Sequence, residues 1–136
     1  MKKNFPKAMS FVFKWEGGYS NRESDGETNY GITKKSYPNL DIKNLTKEQA
    51  REIYYKDYWG SACDNLPFPF DVLMFDAAVQ HGKARADRWM GKATTGRHYL
   101  FLRLEFYAKL KDFDKFGRGW VNRLVDLFKL LEEMRK

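Results

Sequence analysis

The chain has 136 residues, enough for one compact domain with a sizeable core, and no Ser-, Gly- or Pro-rich linker divides it. Its formal net charge of +7 suits an anionic partner such as nucleic acid, a membrane surface or a bacterial envelope. The single cysteine, Cys63, excludes an internal disulfide and is expected to be a small buried apolar residue. No Cys/His cluster has metal-ligand spacing, so neither a metal nor another cofactor is expected.

The first predicted element is a helix from Phe5 to Trp15, because apolar residues recur there at helical spacing. Asn4 can cap this helix, and Pro6 is acceptable in its first turn. The charged residues near the start of the chain interrupt any long apolar run: they are Lys2, Lys3, Lys7, Lys14 and Glu16. Neither a signal peptide nor a stable membrane-inserted segment is therefore predicted.

Glu16 closes the predicted helix and is followed by Gly17 and Gly18. The negative end of the helix dipole and the apolar neighbours Phe13 and Trp15 favour the protonated carboxyl, which is what a general acid needs. The two glycines are expected to end the helix through a left-handed residue and to leave room for a bulky substrate.

Residues 17–33 are polar and rich in glycine, which predicts short strands or a hairpin. Thr46 and Gln49 then form a capping box that introduces a helix from Lys47 to Tyr58, ended by Trp59 and Gly60.

The second half of the chain is predicted to be helical throughout. A buried helix ends near Gly82, a shorter one ends at Gly91, and Thr94 or Thr95 caps the next. Two further helices, Tyr99–Leu110 and Trp120–Met134, are separated by residues 114–119.

Three polar residues of this half lack an evident role in a catalytic site. Asp76 lies within an apolar helix and requires a partner, for which a structural ion pair with Arg103 or Arg123 is expected. His81 and His98 stand alone and are expected at the surface or at helix ends.

Four elements of this sequence occur together: Glu16–Tyr19, Thr28–Thr33, Tyr58–Trp59 and Gly119–Arg123. In this combination the chain resembles glycoside hydrolase family 108, mostly phage and prophage muramidases of the lysozyme-like superfamily. The resemblance implies a mainly α, lysozyme-like α+β fold, with a small β-hairpin element near the N-terminus. It also implies that residues 1–136 form a single muramidase domain with a shortened C-terminal helical part.

The resemblance identifies Glu16 as the catalytic acid that cleaves the β-1,4 bond between N-acetylmuramic acid and N-acetylglucosamine. Phage-type lysozymes place an Asp about nine residues after the acid and a Thr shortly beyond, so Asp25 and Thr28 are the candidates for holding or activating water. Without that motif, Asp25 would be interpreted as a turn residue and Thr28 as a strand residue. Glu27 is a rival for the second carboxylate. Candidate faces for sugar rings are Tyr19, Tyr30 and Trp59.

Two positions depart from the family pattern: Glu27 replaces a glycine, and Gln80 replaces the Asn of the buried helix. In addition, the segment after Trp89 runs almost directly into the last helices, where relatives commonly carry a wall-binding-like insertion. Neither substitution removes the acid, but Glu27 and the shortened segment keep open a non-catalytic peptidoglycan-binding or virion structural role.

The resulting prediction is a monomeric endolysin whose partner is bacterial peptidoglycan. It is expected to be synthesised in the host cytoplasm and to reach the cell wall through a holin-type lesion or with the virion. A lytic transglycosylase, which uses a lone Glu, remains the enzymatic alternative. Binding to nucleic acid is not expected, because no recognition helix, RNP-like strand or zinc finger is present.

Overall fold

The structure, a computed structural model, describes residues 1–23 and 26–136. A short 3₁₀ turn, Lys2–Asn4, leads into helix α1, Phe5–Trp15, which has the predicted limits. Asn4 occupies the capping position, but its side chain does not cap the helix. Its Nδ2 instead donates a hydrogen bond to Oδ2 of Asp71 at 2.8 Å, so Asn4 ties the start of the chain to a later helix.

Helix α1 ends at Glu16, whose backbone is extended while its N–H donates to the carbonyl of Val12 at 2.8 Å. The prediction that the double glycine ends the helix through a left-handed residue is wrong, since neither Gly17 nor Gly18 has a positive φ. A left-handed pair occurs further on, at Tyr30 and Gly31.

The predicted β element is a three-stranded antiparallel sheet in the order β1-β2-β3. The strands are β1, Ser20–Glu23; β2, Gly26–Asn29; and β3, Ile32–Thr33. Thr28 lies opposite Thr33, and the buried Asn29 donates from Nδ2 to the carbonyl of Ile42 at 3.0 Å. This bond anchors the sheet to the loop that leads into the helical part.

The capping box of Thr46 and Gln49 is confirmed, with both reciprocal hydrogen bonds in place. It opens helix α2, Lys47–Tyr54, which continues as a π-helical segment, Tyr55–Trp59, rather than ending. Helix α3, Gly60–Asp64, follows directly. Asp64 accepts hydrogen bonds from the Tyr55 hydroxyl at 2.7 Å and from the Trp59 indole at 2.6 Å, which fixes the two ends of the π segment.

The remaining helices are α4, Phe70–His81; α5, Lys83–Lys92; α6, Gly96–Ala108; and α7, Phe113–Arg135. Thr95 caps α6 by accepting from the N–H of His98 at 3.0 Å. Helix α7 begins at Phe113 rather than at Trp120 and contains Gly117. A Cβ at Gly117 would overlap the Phe113 ring, so this glycine gains packing that offsets its poor helix propensity.

Helix α4 lies at the centre of the molecule and contacts α1, α3, α5 and α6. Around it, the rings of Phe5, Trp59 and Phe75 meet edge to face, and Cys63 is buried and free as predicted. The mainly helical α+β class is therefore confirmed. In the described part of the chain, every helix is too short or too polar to cross a bilayer.

Candidate active site

Glu16 lies where α1 meets the sheet, and its side chain is 25% exposed. One carboxylate oxygen, Oε1, accepts a hydrogen bond from Nη1 of Arg123 on α7 at 3.2 Å. The candidate acid is thus reachable from solvent on one side and held by a cation on the other.

The turn between β2 and β3 presses against Glu16. Gly31 has φ +80°, and a Cβ built there would lie 2.9 Å from Cγ of Glu16 and would overlap the hydroxyl of Tyr54. That hydroxyl donates to the carbonyl of Tyr30 at 2.7 Å, tying the turn to α2. Any residue with a side chain at position 31 would be strained in this left-handed conformation and would clash with the side chain of Glu16. Glycine avoids both problems.

Behind Glu16, Asp76 accepts from two arginines. Its Oδ1 is 2.8 Å from Nη2 of Arg123, and its Oδ2 is 2.9 Å from Nη1 of Arg103. Both arginines predicted as possible partners are therefore engaged, and all three side chains are buried. Burial opposes ionisation of Asp76, but Arg123 and then Arg103 hold its pKa below the ordinary value.

The buried polar cluster continues from Arg103 to Gln80, Tyr107 and His81. Oε1 of Gln80 accepts from Nη2 of Arg103 at 2.6 Å and from the Tyr107 hydroxyl at 2.9 Å. Gln80, the departure from the family pattern, thus has a defined contact. His81 lies at a helix end as predicted, but it does not stand alone, since its Nε2 is 2.8 Å from the Tyr107 oxygen. Burial, and then the Arg103 charge, lower the pKa of His81 to about 3.

Two of the predicted sugar-binding tyrosines lie near the sheet. Tyr19 is 43% exposed, and its hydroxyl donates to Oε2 of Glu27 at 2.7 Å, a bond that raises the pKa of the phenol. Tyr30 is half-buried, and its ring meets Phe13 edge to face. Tyr19 is consequently the more accessible ring, while Glu27, the rival carboxylate, is occupied by Tyr19.

The prediction that Trp59 offers a face to a sugar ring is wrong. This tryptophan has no exposed surface, because its ring packs between Phe5 and Phe75 in the core and its indole N–H is taken by Asp64. The ring therefore presents no face to a sugar. The position of Trp59 after Tyr58 in the sequence does not reveal that this side chain, at the end of the π segment, lies in the core.

Thr28 lies on β2, and its Oγ1 is buried without a hydrogen-bond partner among the described residues. Asp25 lies outside the described residues, so its distance from Glu16 stays a prediction. Within the two described ranges, no group of three or more His, Cys, Asp or Glu side chains could hold a metal ion.

The contact between Arg123 and Glu16 is not predicted by the sequence patterns. Arg123 belongs to the Gly119–Arg123 motif and was expected only as a partner of Asp76, yet its two terminal nitrogens bind different carboxylates. Gly31 also belongs to a recognised motif, but its φ and its approach to Glu16 become evident only in three dimensions.

Comparison with known proteins agrees with this architecture. The family model for glycosyl hydrolase 108 matches residues 9–82, just over half of the chain. The chain belongs to glycosyl hydrolase family 108. Among solved structures, that of Brucella abortus SagA is similar, with 28% sequence identity and a TM-score of 0.81. That match covers 98% of this chain and 96% of the SagA chain.

No curated protein sequence matches the chain significantly. The family match contains Glu16, the sheet and Asp76, but it ends before Arg103 and Arg123. The structural match covers almost the whole chain and confirms the lysozyme-like α+β fold. Family 108 membership places the protein in a glycoside hydrolase family, and the residues of the candidate site come from both the matched segment and the helices beyond it.

Proposed function

We propose that this family 108 protein is a peptidoglycan hydrolase that cleaves the β-1,4 bond between N-acetylmuramic acid and N-acetylglucosamine, with Glu16 as the general acid. One observation carries the proposal: Glu16, at the end of α1, is pressed against the sheet turn at Gly31 and remains partly open to solvent. A proton donor in glycoside cleavage has to be held firmly and still be reachable by a polymer.

The two oxygens of Glu16 differ in their surroundings, which supports a division of roles. Oε1 is engaged by Arg123, whereas in the described part of the chain no hydrogen bond involves Oε2. We assign to Oε2 the proton that is donated to the leaving glycosidic oxygen. When that proton has been given up, Arg123 faces the carboxylate that remains and stabilises its charge.

Asp25 and Thr28 are proposed for the second half of the reaction. Asp25 would orient or deprotonate a water on the opposite face of the sugar, and Thr28 would help to hold that water. A carboxyl separation of roughly 6.5 to 9.5 Å would correspond to inversion at the anomeric carbon. Among the described residues, the buried Oγ1 of Thr28 has no hydrogen-bond partner, which leaves its hydroxyl available to bond a water.

Substrate binding is assigned to Tyr19 and Tyr30, with a contribution from the net charge of +7. An exposed phenol ring can stack on a sugar face, and a basic surface attracts an anionic wall polymer. On the same resemblance we propose that the protein acts as a monomeric phage endolysin, synthesised in the host cytoplasm and released to the wall by a holin-type lesion or delivered by a virion.

The test is Glu16→Gln, measured by turbidity of isolated cell walls. Because an amide of nearly the same size cannot deliver a proton, lysis should fall by about 100-fold or more. Glu27→Gln is the matched control, since it removes a carboxylate bound to Tyr19 and should retain most of the activity. Thermal melting of both variants shows whether the fold is kept.

Mass spectrometry of the products separates the alternatives. Reducing N-acetylmuramic acid ends support hydrolysis, whereas an anhydro product indicates a lytic transglycosylase. A wild-type protein that binds walls without releasing fragments would be a non-catalytic binding protein. Substantial lysis by a well-folded Glu16→Gln variant would remove Glu16 from the mechanism.

A further inference from the structure

A buried chain of charges leads away from the candidate acid. Glu16 is bound by Arg123, Arg123 by Asp76, and Asp76 by Arg103, over contacts of 3.2, 2.8 and 2.9 Å. Asp76 and Arg103 have almost no exposed side-chain surface, and Arg123 has 7%. Burying such groups costs free energy unless they are paired, so their mutual geometry is strongly constrained.

Arg123 is the link between the acid and the interior. Its Nη1 donates to Glu16 and its Nη2 to Asp76, so one rigid, planar guanidinium spans both carboxylates. If Asp76 fixes Nη2, the plane of the group is set and the direction of Nη1 follows. The position of Oε1 of Glu16 therefore depends on a residue that does not itself contact the acid.

We propose that Asp76 is a positioning residue that acts through Arg123 to hold Oε1 of Glu16 and leave Oε2 free for the leaving oxygen. This inference rests on the proposed role of Glu16 as general acid. In the step concerned, the proton passes from Oε2 to the glycosidic oxygen, which keeps the electron pair of the broken carbon–oxygen bond. Water then adds to the anomeric carbon and gives a proton to the proposed base, Asp25, and Oε2 takes up a proton from solvent, which completes hydrolysis.

If the cluster only stabilised the fold, losing any contact between α1 and α7 should have a similar effect on activity. The two helices are also joined at a second place, which allows this alternative to be tested. Asp126 on α7 accepts from Nζ of Lys14 at 2.7 Å and from the indole of Trp15 at 2.8 Å. This second link joins the same two helices next to Glu16 without touching it. Asp126→Asn is therefore a matched control for the loss of a helix-to-helix contact.

The charges around Glu16 should also affect the pH dependence of activity, which a loss of stability alone would not change. Arg123 and the phenols of Tyr54 and Tyr58 are titratable groups that interact with Glu16. Burial raises the pKa of both phenols, so they stay neutral near neutral pH, and Arg123 contributes a full positive charge next to Glu16. Removing Asp76 leaves the Arg123 charge less compensated, whereas removing Arg123 withdraws that charge from Glu16.

The experiment compares Asp76→Asn, Arg123→Met and Asp126→Asn by the pH dependence of wall hydrolysis. For Asp76→Asn and Arg123→Met we expect kcat to fall at least tenfold, because the acid is displaced. KM should change less than about twofold, because the substrate-binding surface remains. The high-pH limb of activity should move to lower pH in Asp76→Asn and to higher pH in Arg123→Met. Asp126→Asn should leave both kcat and the limb in place.

The proposal is overturned if Asp76→Asn keeps kcat within twofold of Asp126→Asn, or if its high-pH limb does not move. Should Asp76→Asn fail to fold, Arg123→Lys serves instead, since a single ammonium cannot reproduce the planar, two-sided contact and should lower kcat at least fivefold. Full activity of Arg123→Lys would contradict the proposal.

An inactive wild-type protein would contradict the proposed function, and the positioning is then measured in a crystal structure of Asp76→Asn. Retention of the contact between Nη1 and Oε1 there would exclude positioning by Asp76. Its loss, with the rest of α7 unchanged, would support it.

Discussion

The segment that matches the family model, residues 9–82, and the helices α6 and α7 contribute different parts of the candidate site. The first segment holds Glu16, the sheet turn and Asp76, and the second supplies the arginines that meet these carboxylates. The acid and the cation that touches it are 107 residues apart in sequence. The matched segment therefore contains the acid, whereas the cation that sets the acid's electrostatic environment comes from outside that segment.

The two regions also differ in how their surfaces are used. Helix α4 of the first segment is almost entirely buried, whereas α7 buries Arg123 on one side and exposes 48% of Val125 on the other. Helix α7 thus serves the site with its inner face only. Its outer face is free to vary without disturbing Glu16.

The largest expected effect comes from removing α6 and α7 by ending the chain after Ala93. Asp76 would then be buried without either arginine. Losing the partner of a buried charge lowers the free energy of unfolding by about 3 to 5 kcal/mol. The lost packing of Leu127 and Leu131 adds about 2 to 5 kcal/mol for each residue. Together these losses match or exceed the stability of an ordinary domain, about 5 to 15 kcal/mol.

The shortened chain should therefore show no cooperative urea transition by circular dichroism and no wall lysis. A chain lacking only the exposed Lys136, whose ammonium reaches Glu133, is the control and should unfold as the full chain does. A cooperative transition together with lysis by the shortened chain would mean that the matched segment is complete without the C-terminal helices.

A smaller effect is expected within the matched segment, for Gly31→Ala. A left-handed backbone with a side chain costs about 1 to 3 kcal/mol, and overlap with Glu16 and Tyr54 adds strain. Activity should fall with stability, since the new methyl group displaces the acid. Urea denaturation and turbidity measure the two effects separately.

Gly18→Ala provides the comparison, because no described residue lies within 4 Å of a Cβ at Gly18 and its φ is not positive. Its stability should change by less than about 1 kcal/mol. If Gly18→Ala loses activity while keeping stability, the double glycine borders the substrate as the sequence predicted. Equal losses for both variants would show that the Gly31 turn has no special role.

Local patterns in the sequence were sufficient to predict most of the fold. Helix α1 has the predicted limits, the capping box is in place at Thr46, and Thr95 caps α6. These features depend on residues three or four positions apart, which sequence periodicity records directly. The start of α7 could not be predicted, because residues 114–119 contain two glycines and only the Phe113 ring explains why a helix tolerates Gly117.

The candidate site was predictable only in part, because sequence patterns record local contacts but not contacts between distant elements. Glu16 follows from a local motif, and the pairing of Asp76 follows from the cost of an unpaired buried charge. The bridging role of Arg123 depends on the angle at which α7 crosses the end of α1, which no local pattern contains. Trp59 was misjudged because a π-helical segment changes the face on which a side chain lies.

The smallest expected effect concerns His81, the last residue of α4, which meets Tyr107 of α6 where the two regions join. Its pKa falls from 6.5 to about 3, first through burial and then through the charge of Arg103; Arg85 acts in the same direction and Asp76 in the opposite one. Between these two values the unfolded chain binds a proton that the folded protein does not. The stability should therefore decrease as the pH falls below 6.5.

The free energy of unfolding should lose at most about 1.4 kcal/mol for each pH unit from this group, and less where solvent reaches the ring. His81→Gln keeps a polar group near Tyr107 but does not titrate, so its stability between pH 5 and 7 should depend less on pH than that of the wild type. Tyr107→Phe removes the hydroxyl and keeps the imidazole, so it should be less stable at every pH with the wild-type slope. Urea denaturation at several pH values measures all three proteins. If His81→Gln and the wild type show the same slope, the proton is not excluded from His81 in the folded state, and the contact between α4 and α6 is open to water.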